Sequence, residues 1–280
     1  MSTAYETKER MELRLAETPP LSPAKRVREF LTKNRRKLYA ILTVLLLWQL
    51  LSYIYPDYLF PPLQSIADDT IKIFASGKQL EHYGSTVYRI VLALAGAFLT
   101  GLFLSVVMSF NRLLEDYFLT IFHVMMGVPA LSWVVFAVIW FKFVEFRIFF
   151  VVFVGALPMF TLHLHDSIKG IDREKVDMLR VFRPTRWQML RMLILPALLP
   201  VMLTSWKINI GYGTRVVIVA ELVGATTGVG YQLLMAQELF KMSSAIAWTL
   251  TLVLFLVATE QVLLRMEGVF LRYRPAMRPM

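Results

Sequence analysis

The sequence predicts an all-α, polytopic membrane protein, and three observations support this fold class. First, 57% of the 280 residues are hydrophobic and the mean hydropathy is +0.56, which is more apolar than one soluble core of this length requires. Second, the apolar residues are gathered in runs of membrane length. Third, these runs lack the period-two alternation of a transmembrane β-barrel, so their backbone groups must be paired within helices.

Six apolar runs define the predicted transmembrane helices. A helix needs about 20 mostly apolar residues to cross a hydrocarbon core of about 30 Å, at about 1.5 Å per residue. Runs of this kind lie near residues 38–55, 87–110, 117–141, 146–168, 193–220 and 245–264. We therefore predict six spans within a membrane domain over residues 38–270.

Lysine and arginine residues predict the orientation of these spans. Seven basic residues stand before the first run against a single Glu29: Lys25, Arg26, Arg28, Lys33, Arg35, Arg36 and Lys37. Because basic residues flank the cytoplasmic ends of spans, residues 1–37 are predicted to be a cytoplasmic basic tail. With six spans, the tail at residues 271–280 and the loop at about 169–192 face the cytoplasm too. This placement of the basic residues between apolar runs, despite a net charge of +10, argues against nucleic acid as a partner.

The predicted cytoplasmic loop contains the pattern of a short amphipathic helix outside the membrane. Val176, Leu179 and Phe182 recur at i, i+3 and i+6 within KVDMLRVF. Pro184 is expected to stop this helix, and Thr185 can cap a second helix that follows.

Two prolines stand where the second loop helix meets the fifth apolar run. We expect Pro196 and Pro200 to interrupt the helix at this point. A short helix held at a fixed angle in this way suits the transmission of force from a soluble partner. A basic amphipathic loop that rests on anionic membrane lipid would explain the same residues.

This loop resembles the signature loop of bacterial ABC-importer permeases. In that signature a Glu-Ala-Ala triplet is followed at fixed spacing by a Gly and then by an Ile-x-Leu-Pro ending. In order along the motif, the corresponding residues here are Asp177, Met178, Leu179, Arg183, Leu193, Leu195 and Pro196. Asp177 is a conservative change of the Glu, whereas Arg183 stands in place of the Gly.

Other segments resemble the permease branch that imports sulfonates, taurine, nitrate and related compounds. They are LFPPLQSI after the first run, Ser85 with Arg89 in the second, Pro129 with Trp140 and Phe141 in the third, and VAELVGATTGVGYQLLMAQ at residues 219–237. Together with the loop, the resemblance extends from about Leu38 to Arg274.

The resemblance implies a type I ABC-importer permease fold in the bacterial cytoplasmic (inner) membrane. The chain would form a homodimer that contacts two ATP-binding cassette subunits and a periplasmic or extracellular substrate-binding protein. ATP and Mg²⁺ would bind to the partner ATPase, and this chain would be a non-catalytic subunit without a cofactor. The sequence agrees, since it contains no phosphate-binding G-x-x-x-x-G-K-[ST] loop: the Gly77-Lys78 pair is followed by Gln79.

Under this resemblance the cytoplasmic loop would be a coupling helix that inserts into a cleft of the ATPase. The residues predicted to form the ATPase contact are Val176, Asp177, Leu179, Arg180, Phe182, Arg183, Arg186, Trp187 and Pro196.

A proline in the third run and polar residues in the fifth run predict the translocation path. Pro129 frees a backbone carbonyl, and the broken helix that results can line a passage or form a simple kink against its neighbours. A charge in the hydrocarbon costs at least about 2.5 to 3.5 kcal/mol, so it should face a protein interior, a wet cavity or the interface. The predicted path residues are Met126, Pro129, Trp133, Lys207, Asn209, Arg215 and Glu221. Lys207 and Arg215 would suit a small organic or inorganic anion, such as a sulfonate, taurine or nitrate. The resemblance also leaves open a neutral or cationic heterocycle, which other members of this branch carry. Glu221 is a candidate structural partner of Arg215 by family position, not by helix phase.

Other classes of function have weaker support. His163 and His165 point about 200° apart on a helix, so no metal site is predicted. No nucleophile or acid–base motif indicates an enzyme within the membrane. The remaining alternative is an ion-gradient-driven secondary transporter or channel, which predicts internal repeats or titratable carboxylates at mid-span, and neither is found in the six runs.

Overall fold

A computed structural model describes residues 23–270, and this part of the chain is helical throughout. Its helices are α1 Pro23–Ile54, α2 Leu63–Ala75, α3 Gly77–Phe110, α4 Arg112–Gly127, α5 Ala130–Trp140, α6 Val144–Lys169, α7 Arg173–Arg180, α8 Arg186–Met189, a π-helical segment Leu190–Ile194, α9 Leu195–Gly224, α10 Val229–Glu238 and α11 Met242–Phe270. The all-α prediction is therefore confirmed. Most of the two predicted tails, residues 1–22 and 271–280, lies outside the described residues.

The chain divides into two compact units, and the first extends to Leu63. In this unit α1 continues without a break from the basic segment into an apolar portion, Leu38–Ile54. The segment after α1 folds back onto it, since the indole N–H of Trp48 donates to the Pro61 carbonyl at 3.0 Å and the ring of Phe60 packs on Trp48. The apolar portion is shorter than the roughly 20 residues that a perpendicular span requires.

The second unit begins at Gln64 and has a core built by α3, α6 and α9. Their facing side chains are small or branched, including Ala93, Ala97, Val152 and Ala156, all of which are buried. Small residues let membrane helices approach closely, and this allows van der Waals packing to hold them together where lipid supplies no hydrophobic force. These three helices therefore form the fixed frame on which the functional residues are placed.

The described residues contain four helices that are long and apolar enough to cross a membrane. They are Gly77–Phe110, Val144–Lys169, Trp187–Gly224 and Met242–Gly268. A fifth span results if α4 and α5 are counted as one broken unit. The protein is thus a multi-pass membrane protein, while the number of six spans and the side of the termini remain predictions.

The predicted third span is not one straight helix. α4 and α5 meet at an angle of 96° around Val128 and Pro129. Pro129 has no N–H to donate, and it forces the preceding Val128 into an extended conformation, with φ −81° and ψ 123°. A single proline in this run therefore separates two helices.

The prolines before the fifth span act differently, and the predicted interruption of the helix there is wrong. α8, the π-helical segment and α9 follow one another without a gap, and Pro196 lies in the first turn of α9. A π-helical turn lacks the i→i−4 bond that a proline removes, so the wider turn Leu190–Ile194 accommodates Pro196. Pro200 lies within α9, where its carbonyl accepts a hydrogen bond from the Thr204 hydroxyl at 3.0 Å.

Candidate functional site

The loop between α6 and α9 contains the predicted coupling residues. α7 ends at Arg180, so Phe182 lies beyond the helix and does not extend the apolar face of Val176 and Leu179 as predicted. The chain then turns at Arg183, which has a left-handed φ of 46°. Pro184 follows directly, and its ring disfavours a right-handed helical conformation at Arg183, so α7 does not continue. The position at which the family signature has Gly is thus a left-handed turn in this chain.

The second loop helix begins with reciprocal capping, as expected for Thr185. The Thr185 hydroxyl accepts from the backbone N–H of Gln188 at 3.3 Å, and the Gln188 side chain accepts from the backbone N–H of Thr185 at 2.8 Å. This capping box fixes the direction in which α8 leaves the turn.

The loop exposes several large apolar side chains. Met178, Val181, Phe182 and Trp187 are 61%, 78%, 78% and 69% exposed, and we call this set the loop patch. It lies beside Asp177, which is also exposed. A soluble surface rarely exposes so many large apolar groups together unless it binds a protein or a membrane.

The remaining predicted coupling residues surround the loop patch. Val176, Leu179 and Pro196 are half-buried, whereas Arg183 is exposed. The backbone of Arg180 and Arg186 belongs to α7 and α8, and the side chains of these two residues lie outside the described part.

Replacement of Arg183 by glycine should preserve the loop and relieve strain. A left-handed φ costs an ordinary L-residue about 1 to 2 kcal/mol, and glycine avoids this cost while losing about 0.5 to 1 kcal/mol through greater freedom when unfolded. We expect Arg183→Gly to leave the thermal midpoint unchanged or slightly raised, and Arg183→Val to lower it. The midpoint is measured by size-exclusion chromatography after heating. A lower midpoint for the glycine variant than for the valine variant would contradict the strained turn.

A cavity of about 230 Å³ lies at the break between α4 and α5, near the middle of α6 and α9. It unites three predicted path residues with others that the sequence did not indicate. The lining residues are Met125, Met126, Val128, Pro129, Ala130, Trp133, Gly155, Met159 and Tyr212. Gly155 makes room for the ring of Tyr212, because a Cβ at this position would lie 2.6 Å from the Tyr212 Cζ and would displace the ring. Charged side chains are absent from this lining.

The predicted path residues of α9 have different environments. Lys207 is half-buried and its ammonium lies 3.7 Å from a carboxylate oxygen of Glu260 on α11. Asn209 is fully buried, and its side-chain N–H donates to the Ser205 carbonyl at 2.9 Å. None of the α9 path residues lines the cavity at the break, although Tyr212 does.

Arg215 belongs to an exposed side of α9. Thr204, Ile208 and Arg215 are exposed and point within about 40° of one another at 100° per residue. Within residues 23–270, no hydrogen bond or ion pair is formed by the Arg215 guanidinium. The helix therefore presents an unpaired positive charge on an otherwise uncharged side.

Glu221 is not the partner of Arg215, and that expectation is wrong. Its carboxylate is fully buried and accepts from the Arg89 guanidinium at 2.7 Å, from the Thr86 hydroxyl at 2.9 Å and from the Gly230 N–H at 2.8 Å. Arg89 lies on α3, so the pair joins two core helices. Two residues of one helix can pair only if they share a face, and residues 215 and 221, six positions apart, point about 120° away from each other.

Arg89 binds a second carboxylate as well. Its guanidinium donates twice to Glu145, at the first turn of α6, and also to the carbonyl and hydroxyl of Thr227 at 2.8 and 3.0 Å. We call Thr86, Arg89, Glu145, Glu221 and Thr227 the arginine network. It lies at the end of the helices opposite the loop patch and joins α3, α6 and α9 to the turn before α10.

The glycines of the turn before α10 allow this turn to pack against the arginine network. Gly228 has φ 115°, and a Cβ at Gly230 would lie 2.6 Å from the Glu221 Cβ. Only glycine can bring the turn this close to a buried carboxylate. The sequence signal for the network was a positive charge, Arg89, in the second apolar run and a negative charge, Glu221, directly after the fifth, since a buried charge in a membrane protein requires a partner.

Among residues 23–270, no cluster of three or more His, Asp or Glu side chains is arranged to hold a metal ion.

Comparisons with known proteins agree with this architecture. Residues 97–265 match the family described as "Binding-protein-dependent transport system inner membrane component". The taurine transport system permease protein TauC of Escherichia coli is 27% identical over 206 residues, which cover 72% of this chain and 74% of TauC. The bicarbonate transport system permease protein CmpB of Synechococcus elongatus is 24% identical over 205 residues, which cover 69% of this chain and 74% of CmpB.

A solved structure shares the fold. An inward-facing conformation of the MetNI methionine ABC transporter superposes with a TM-score of 0.53 at 16% identity, over 67% of this chain and 92% of that chain. The family match includes the break at Pro129, the loop patch and all of α9. The chain therefore belongs to the family of inner membrane components of binding-protein-dependent transport systems, the permeases of ABC importers.

Proposed function

We propose that this permease works as a homodimer in the bacterial inner membrane, where two ATPase subunits bind the loop patches and drive a solute along a path beside α9. The observation that supports this most directly is the exposure of Phe182 and Trp187 beside a strained turn at the signature position. ATP and Mg²⁺ would bind to the ATPase subunits, so this chain would contribute no catalytic group.

The composition of the loop patch favours a protein partner over lipid. The predicted contact includes the acidic Asp177 in the middle of α7, and a carboxylate is repelled by anionic lipid headgroups. Large apolar anchors surrounded by charged groups are typical of the energetically important centre of a protein interface. The loop would thus insert its apolar residues into a cleft of the ATPase, with the charged residues at the rim.

The exposed side of α9 supports the homodimer. An unpaired guanidinium in contact with lipid tails costs at least about 2.5 kcal/mol, so Arg215 requires water or protein beside it. A second copy of the chain, placed with the same side of α9 facing the first, would enclose a wet passage between the two helices. Twofold symmetry would then place Arg215 of both copies along that passage.

The cavity at the break indicates which part of a solute it could accommodate. Trp133, Tyr212 and three methionine side chains offer aromatic and thioether surface, and a small inorganic anion would lose its hydration there without a compensating charge. An organic anion, such as a small sulfonate, would place its apolar part in the cavity and its charged group near Arg215, one helical turn beyond Tyr212. The substrate-binding protein would make the first selection.

Substitution of Arg215 tests the proposed path. A hydrogen bond to a charged group contributes about 1.5 to 3 kcal/mol, so Arg215→Ala should lower ATP-driven uptake by about ten- to a hundredfold at subsaturating solute. The dimer should persist. Because the natural chain has no cysteine, a single Thr204→Cys change allows the dimer to be measured by disulfide cross-linking in both backgrounds.

Lys207→Ala is the matched control, since Lys207 already has a partner in Glu260. We expect it to reduce uptake less than Arg215→Ala does. Normal uptake by the Arg215 variant would remove this residue from the path. Failure of Thr204→Cys to cross-link in either background would contradict the placement of α9 at the dimer axis.

A further inference from the structure

A second charged cluster lies at the end of the helices near the loop patch. We call Glu115, His165 and Lys169, with the Ser109 hydroxyl, the Glu115 cluster. The Glu115 carboxylate accepts a hydrogen bond from the Lys169 ammonium, and one of its oxygens lies 3.3 Å from Nε2 of His165. On the other side of the imidazole, Nδ1 lies 3.3 Å from the Ser109 hydroxyl. Glu115 and His165 are both buried.

The cluster joins the ends of three helices. Ser109 belongs to the last turn of α3, Glu115 to the first turn of α4, and His165 and Lys169 to the last two turns of α6. The Asn111 side chain caps α4 by accepting from the Leu113 N–H at 2.9 Å, which fixes the start of this helix beside α3. The ends of α3, α4 and α6 are therefore held together by polar side-chain contacts as well as by apolar packing.

The position of Lys169 connects the cluster to the loop. Lys169 is the last residue of α6, and α7 begins at Arg173 after only three residues. The Gly170 N–H still bonds to the Asp166 carbonyl at 2.8 Å, so the connection is short and tied to α6. A displacement of α7 therefore acts directly on the residue that holds Glu115.

The other end of α4 leads to the cavity. α4 is a single helix of 16 residues from Arg112 to Gly127, and Met125 and Met126 in its last turn line the cavity at the break. Phe122 is buried in the core, which keeps α4 against its neighbours between the two ends. A hydrogen-bonded helix transmits a displacement along its axis with little change in length.

We propose that the Glu115 cluster transmits the movement of the loop through α4 to the cavity at the α4–α5 break. This inference rests on the proposed function, because it assumes that an ATPase moves the loop. Glu115 would act as a positioning residue, not as a contact of either the solute or the ATPase. The ion pair between its buried carboxylate and the exposed Lys169 would keep α4 and the end of α6 moving together, where apolar packing alone would permit them to slide.

The test uses the purified complex of the permease with its ATPase subunits and needs no knowledge of the solute. Met126→Cys provides a single thiol at the cavity, since the chain has no natural cysteine and Met126 is 50% exposed. The rate at which a maleimide labels this thiol is compared in the nucleotide-free complex and in the complex trapped with ATP and vanadate. The rate of ATP hydrolysis is measured on the same samples.

We expect the nucleotide-dependent change in labelling to shrink at least about fivefold in Glu115→Gln and in Lys169→Met, while ATP hydrolysis continues. Lys169→Arg should preserve the change because it keeps the charge and the donor. Asp116→Asn is the matched control: Asp116 is the exposed neighbour of Glu115 on the same turn, and its removal should have no effect.

The other outcomes overturn the inference. An undiminished labelling change in both Glu115→Gln and Lys169→Met would show that the movement reaches the cavity by another route. Loss of ATPase binding by both variants would assign the cluster a purely structural role. If the unmodified Met126→Cys chain binds no ATPase or shows no nucleotide-dependent labelling, the proposed function itself fails, and this result is distinguishable from the first two.

Discussion

Replacement of Arg89 by methionine should be the most damaging single change at the end opposite the loop patch. The guanidinium is buried and holds two carboxylates, of which Glu221 is fully buried. Removal of one partner from a buried ion pair typically costs about 3 to 5 kcal/mol, because the remaining charge is left without compensation. In Arg89→Met the turn before α10 also loses its two contacts with the guanidinium. We expect a markedly lower thermal midpoint and a small yield of folded protein.

A double variant separates the effect of the unpaired Glu221 charge from the effect of the lost side-chain volume. Arg89→Met/Glu221→Gln removes the uncompensated charge, and it should recover part of the midpoint that Arg89→Met loses. Arg112→Met is the matched control, because Arg112 is an exposed arginine at the start of α4. Equal midpoints for Arg89→Met and Arg112→Met, measured by size-exclusion chromatography after heating, would contradict a stabilising arginine network.

The second large effect is expected at the loop patch. Phe182→Ala/Trp187→Ala removes its two exposed aromatic side chains, and such anchors commonly contribute 2 kcal/mol or more each at an interface. The loss of one such anchor alone corresponds to about thirtyfold in affinity, so we expect the affinity of the double variant for the ATPase subunit to fall by more than about thirtyfold. The fold should be unaffected, since both side chains are largely exposed. Affinity is measured by titrating the ATPase onto the immobilised permease.

Phe143→Ala provides the control for the loop patch. Phe143 is 80% exposed, comparable to Phe182, but precedes α6 at the opposite end of that helix. This variant should bind the ATPase normally. Unchanged affinity of the double variant would favour the alternative in which the loop rests on lipid.

The sequence was sufficient for the fold class and the family because both depend on local or repeated features. Runs of apolar residues indicate membrane helices through the cost of unpaired backbone groups in lipid, and the basic loop could be aligned with a known signature. The helix boundaries near prolines were less predictable. Pro129 separates α4 from α5, whereas Pro196 is accommodated by a π-helical turn, and the difference depends on the packing of neighbouring helices.

The candidate sites are formed by contacts between residues that lie far apart in the sequence, and no local sequence pattern predicts such contacts. Glu221 pairs with Arg89, which is 132 positions earlier in the chain, and Glu145 adds a carboxylate from a third helix. Tyr212 became a cavity residue because Gly155 leaves room for its ring. The left-handed conformation of Arg183 was not predicted either. The family signature has glycine at this position, and glycine adopts a positive φ without strain, so the signature indicated this conformation.

ATP-driven movement is proposed to enter this permease through its loop, and co-purification of the permease with an ATPase subunit tests this proposal. The tagged chain is expressed together with its native neighbouring genes, isolated in detergent, and analysed by mass spectrometry and for ATP hydrolysis. We expect recovery of an ATPase subunit with a phosphate-binding loop in equal proportion to this chain, and loss of that subunit in Phe182→Ala/Trp187→Ala. Recovery of the folded chain alone, without ATP hydrolysis and with ion-driven uptake in vesicles, would show instead that an ion gradient drives transport.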